Sequence, residues 1–113
     1  MERERLIPQD PLGFIRRCVE AGKILWTYHV NMRPQGRSIS RGAIVDSTST
    51  FEIVEAYPGD KYLPSYLVFA EHEEEVIHIL FATDTEGDNV RVITAYRPNP
   101  EEWEKDLRTR RTP

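Results

Sequence analysis

Apolar positions three and four apart open the chain. Leu12, Ile15 and Val19 fall on one stripe of the segment "DPLGFIRRCVEAGK", the spacing of a helix with a single buried face. Asp10 is placed to cap that helix, Pro11 suits its first position, and Gly22 is a natural stop. "ILWT" follows as a short apolar link. Thr27 is placed to cap a second helix carrying His29 and Arg33, which Pro34 must end or kink because it has no amide proton to give. Ser40 predicts a cap for another short helix from Arg41 to about Ser47, with Ala43 and Ile44 facing inward.

From Phe51 onward the period changes to two, the mark of strands. "FEIVEAY" is the first and is closed by Pro58-Gly59-Asp60. "PSYLVFAE" is the second, followed by an acidic turn in "EHEEE". "VIHILFAT" is apolar on both faces and reads as a central strand. After the turn in "TEGDN", "VRVITAY" is the fourth. Asn99 then predicts a cap, Pro100 a first turn and Glu102 a capping-box partner for a closing helix docked by Trp103 and Leu107. The expected fold is α+β: N-terminal helices packed on a four-stranded antiparallel meander, with a short C-terminal helix. Residues 1–9 are expected to fray, 10–108 to form one domain, and 109–113 to be a basic tail.

Composition narrows the function classes. A chain of 113 residues with 39% hydrophobic and 30% charged residues suits one globular domain. No apolar run nears the roughly 20 residues of a membrane helix, and no signal-peptide pattern opens the sequence, so a cytoplasmic protein without membrane attachment is expected. Cys18 is the single cysteine, which leaves no internal disulfide and favours a buried structural thiol. The formal net charge of -4 argues against nonspecific nucleic-acid binding. Its distribution is uneven, however. Arg16 to Arg41 holds six basic residues against Glu20 alone, whereas Glu71 to Asp88 holds seven acids and no Lys or Arg. The basic stretch permits a phosphate-binding face.

Within that stretch His29, Arg33 and Arg37 stand four apart. Helical spacing puts His29 and Arg33 on one face, and Arg37 continues it if Pro34 permits. On the sheet, a hairpin centred near Gly87 pairs His78 with Tyr96, on the same face as Thr94; a slip of one residue pairs His78 with Arg97 instead. His, Arg and Tyr are the side chains that metal-free RNA cleavage needs. They serve as a base near neutral pH, forked donors for a phosphorane, and a surface for a splayed base. Each also has a plain structural role: His78 as a satisfied core histidine, Tyr96 as a packing residue, Thr94 as a β-branched strand residue. His72 and His78 are too far apart on one strand to share a metal ion. No metal or cofactor is expected.

The order Thr27-x-His29, Arg33, Arg37, Ile39-Ser40 resembles a small prokaryotic family of domains of unknown function, whose pattern is T-x-H-A-x-x-R-M-x-x-R-G-I-S. Pro34 and Ser38 stand where that pattern has Met and Gly. "YPGDKYLPSYLVF", "HILFATD" and "VRVITAYRPNPEEW" are similar to its later motifs. The resemblance covers about residues 24–105 and extends to the RelE/MqsR/BrnT group of toxin ribonucleases. It implies a metal-independent endoribonuclease of a toxin–antitoxin system, acting on RNA through attack of the 2′-hydroxyl. His29, Arg33, Arg37 and Tyr96 would be catalytic, and His78, Thr94 and Arg97 would bind substrate. It further implies a cognate antitoxin, such as an MqsA-type zinc-finger protein. The alternative is a noncatalytic interaction module that kept the fold.

Overall fold

The computed structural model describes residues 6–27 and 39–112. Helix α1 spans Pro11–Glu20, strand β1 Ile24–Trp26 and helix α2 Arg41–Asp46, followed by a 3-10 turn at Thr48–Thr50. Strands β2 (Glu52–Tyr57), β3 (Ser65–His72), β4 (Glu75–Asp84) and β5 (Asn89–Tyr96) complete the elements. Among the described residues no helix is long and apolar enough to cross a membrane.

Both helices start as their sequences predict. The Asp10 carboxylate accepts the Gly13 amide at 3.1 Å, and the Ser40 hydroxyl accepts the Ala43 amide at 3.0 Å. Gly13 is needed for this closeness, because a Cβ there would meet Asp10 Oδ2 at 2.3 Å. Asp10→Ala is expected to cost about 1 kcal/mol of stability, measured by urea unfolding. At the other end Gly22 adopts φ +74, which turns the chain back toward the sheet.

The sheet is α+β in character but differs from a four-stranded meander. It has five strands in the order β1-β5-β4-β3-β2, and β1 lies parallel to β5 while the remaining pairs are antiparallel. Ile24-Leu25-Trp26, expected as a link, is thus a strand. β5 would otherwise present an unpaired row of amides and carbonyls, and Lys23 O accepts the Val90 amide at 3.1 Å to begin the pairing. Bulges interrupt β2 between Ile53 and Glu55 and the β4–β5 pair beside Phe81.

The two faces of the sheet are covered differently. On one, Ile15, Cys18 and Val19 of α1 and Ile44 of α2 pack with Phe51, Val68, Ile79, Phe81 and Val92. The other carries Phe69, His78, Leu80 and Tyr96, since Phe69 pairs with His78 and His78 with Tyr96. The C-terminal segment lies over this second face, and it is not the expected helix. Asn99 does cap one turn, its carbonyl accepting from Glu102 and Trp103. Beyond that, the Asp106 carboxylate takes the amides of Arg108 and Thr109, and Leu107 sits at φ 57. Side chain-to-backbone bonds of this kind compete with helix. The result is a strap in which Trp103 pairs with Arg110.

Candidate functional site

His78 lies in the middle of β4, the central strand, and is 0% exposed. Its ring is flanked by Tyr96 of β5 at 5.6 Å, Phe69 of β3 at 6.4 Å, and Trp103 from the strap, nearly perpendicular to it at 4.5 Å. Nε2 lies 2.7 Å from the Leu107 carbonyl. A carbonyl only accepts, so Nε2 carries the proton and Nδ1 a lone pair. That lone pair is buried and has no partner. Burial pushes the His78 pKa below its ordinary value, outweighing the upward pull of the Leu107 carbonyl and Glu55; Arg110 adds to the depression. The imidazole is therefore neutral at pH 7.

Two arginines of the strap tie it to β2. Arg110 forks onto Glu55 with both contacts at 3.0 Å, and its guanidinium stacks on Trp103 at 4.5 Å. Arg108 donates to Glu52 at 2.8 and 2.9 Å and covers the Phe69 ring at 3.9 Å. The Tyr57 hydroxyl also donates to Glu55. Hydrogen bonding from Arg110 holds the Glu55 carboxyl below the usual carboxylate range, and Arg110 is raised in turn. Burial raises the Tyr96 hydroxyl. The group is a neutral imidazole in an aromatic box, closed by a charged clasp.

Of the sequence-predicted residues, His78, Tyr96 and Thr94 share this face, with Thr94 opposite Leu80 and half-buried. Arg97 points to the other side, where it pairs with Glu75 at 3.2 Å. There it lines a pocket of about 200 Å³ with Ile39, Ser40, Ala43 and His72. His29, Arg33 and Arg37 lie outside the described residues. Both neighbours of their segment are fixed: the Thr27 hydroxyl donates to Ile93 O at 3.1 Å, and Ile39 is buried in the core. Among the described residues no group of three or more His, Cys, Asp or Glu side chains could hold a metal ion.

Glu55, Arg108 and Arg110 were not singled out from the sequence. The two arginines, two apart, fall on one side of an extended chain, which is a usable signal. Glu52 and Glu55 are three apart and would face opposite ways on a regular strand. The bulge between Ile53 and Glu55 brings both under the strap.

None of the curated proteins and none of the solved structures compared with the chain matches it. A family model does match, over residues 26–97, from the last residue of β1 to the residue after β5. The matched stretch includes His29, Arg33, Arg37, His78, Thr94, Tyr96 and Arg97, and leaves α1 and the strap outside it. It spans well over half of the chain, which therefore belongs to the family described as a domain of unknown function, DUF4258.

Proposed function

We propose that this protein is a toxin-like, metal-independent endoribonuclease of the RelE/MqsR/BrnT kind. One observation supports the reading. The residues that flank the segment bearing His29, Arg33 and Arg37 are anchored, Thr27 on Ile93 of β5 and Ile39 in the core, and Ile39 lines the pocket onto which Arg97 and His72 open. In this reaction His29 takes the proton of the 2′-hydroxyl and O2′ attacks phosphorus. The 5′-oxygen leaves with a proton drawn from water, giving a 2′,3′-cyclic phosphate and a 5′-hydroxyl end. Arg33 and Arg37 neutralise the phosphorane, and Arg97 extends the phosphate-binding surface. Tyr96 and His78 take part only when the strap is displaced, because both lie beneath it. An antitoxin such as an MqsA-type zinc-finger protein would hold the enzyme inactive.

Induced expression in a bacterium tests the proposal. Growth arrest with loss of RNA is expected, and His29→Ala or Arg33→Ala, at equal soluble level, is expected to relieve both. Normal growth with intact RNA would overturn it. That result would favour a noncatalytic interaction module, for which the sheet's second face offers one specific feature. Beyond the strap lies a pocket of about 270 Å³ lined by Leu63, Leu80, Ala82 and Ile93, with Tyr62 83% exposed beside it.

A further inference from the structure

We propose that residues 98–112 form a pH-gated latch: protonation of His78 lifts this segment from the sheet and uncovers Phe69, His78 and Tyr96 while the sheet stays folded. The segment is built to leave as a unit. Its backbone bonds close on themselves, with the Glu104 amide on Thr109 O at 2.7 Å and the Arg111 amide on Glu102 O at 2.9 Å. Its contacts with the strands are made through side chains: Trp103 on His78, Arg108 on Glu52 and Phe69, Arg110 on Glu55, and His78 on the Leu107 carbonyl. Both ion pairs are partly exposed, which makes them weak holders in water. Docking thus depends on the aromatic burial around His78.

A second proton on His78 has nowhere to bond. Nδ1 is sealed and faces no acceptor. The charged groups that act on the ring are Glu55 of β2 and Arg110 of the strap, and its walls are Phe69 from β3, Tyr96 from β5 and Trp103 from the strap, with Arg108 and Glu52 paired over Phe69. The Leu107 carbonyl and Glu55 favour the imidazolium, but the carbonyl already takes the Nε2 proton, and Arg110 occupies the Glu55 carboxylate and opposes the charge. An imidazolium is therefore tolerated only when water reaches the ring, and that requires the strap to open.

The sign follows from linkage. The open form binds a proton at the ordinary histidine value of about 6.5, and the docked form binds it only at lower pH. Docking is at full strength above about 6.5 and weakens as pH falls toward the docked value. Over that window the opening equilibrium constant grows up to about tenfold per pH unit.

Trp103 reports the event. The chain has two tryptophans, so Trp26→Phe leaves Trp103 alone, and acrylamide quenching of its fluorescence reads strap opening. Quenching is expected to rise as pH falls from 7.5 to 5, with the far-UV circular dichroism of the sheet unchanged. His78→Gln, which keeps a donor for Leu107 O but does not titrate, and His78→Phe, which keeps a ring, are both expected to flatten the pH dependence. A flat profile in the parent protein would overturn the latch. So would a pH dependence that persists in both variants, since a group other than His78 would then be responsible. Loss of the circular dichroism signal at the same midpoint as the quenching would do so as well.

Discussion

Replacing Phe81 with alanine is expected to lower the free energy of unfolding by about 3–5 kcal/mol. The whole molecule has about 5–15 kcal/mol available, so the variant should be near the edge of folding at 37 °C. Phe81 is 0% exposed at the centre of β4, and its ring lies 5.5 Å from that of Phe51. Phe51 follows the 3-10 turn and leads into β2, so one ring pair joins the middle strand to the edge of the sheet beneath α1. Removing it leaves a cavity that Ile15, Val92 and Phe51 cannot all move to fill, because each belongs to a different element. Urea unfolding with an unchanged slope is the measurement. A loss below about 1 kcal/mol would show that the site collapses and that the layer is looser than its burial implies. Tyr62→Ala, at 83% exposure, is the control and should stay within about 0.5 kcal/mol.

Strands β2 to β5 were legible because alternation and turn residues are local signals, and the His78–Tyr96 pairing was expected as it stands. That success came from two compensating departures. The pairs Asp84–Asn89 and Thr83–Val90 fix a turn centred half a residue before Gly87. Continued without interruption, they would put His78 opposite Ala95. The extra residue Ile93 on β5, opposite the Leu80–Phe81 step of β4, restores the register by one residue, so a simpler assumed turn arrived at the same pair. Bulges carry no reliable sequence mark, and the one in β2 hid the shared face of Glu52 and Glu55 for the same reason.

Nonlocal structure was less legible. Ile24-Leu25-Trp26 is too short to declare itself a strand, and its partner lies more than sixty residues away at Val90–Val92. The C-terminal segment carried strong helix-start signals at Asn99 and Pro100, and these were honoured for one turn. Trp103 and Arg110 then found a better arrangement across the sheet, with His78 and Glu55 as partners. Tertiary contact overrode local preference there, and local preference is a weak prior of a few tenths of a kcal/mol per residue. The same override turned His78 from a candidate substrate contact into a buried group whose access depends on a covering segment.

Trp103→Ala should have its largest effect on that segment. The side chain is 1% exposed, stands nearly perpendicular to the His78 ring, and supports the guanidinium of Arg110 on its face. Truncating such a residue costs about 3–5 kcal/mol when the whole structure must bear it. Here the strap can release first, so the loss should concentrate in a local opening and not in the global transition. The amides of Glu104 and Arg111, protected within the strap, should exchange much faster by hydrogen–deuterium measurement, while those of β4 and β3 keep their protection. His78 then supplies an independent reading. Burial holds its pKa below the ordinary value, and water admitted by the missing indole should move it up toward about 6.5 in an NMR titration. Fast exchange in the strap together with an unmoved His78 titration would mean that the imidazole is shielded by Phe69 and Tyr96 alone. In that case the indole would be a passive filler, and the coupling between ring protonation and strap docking would be lost with it.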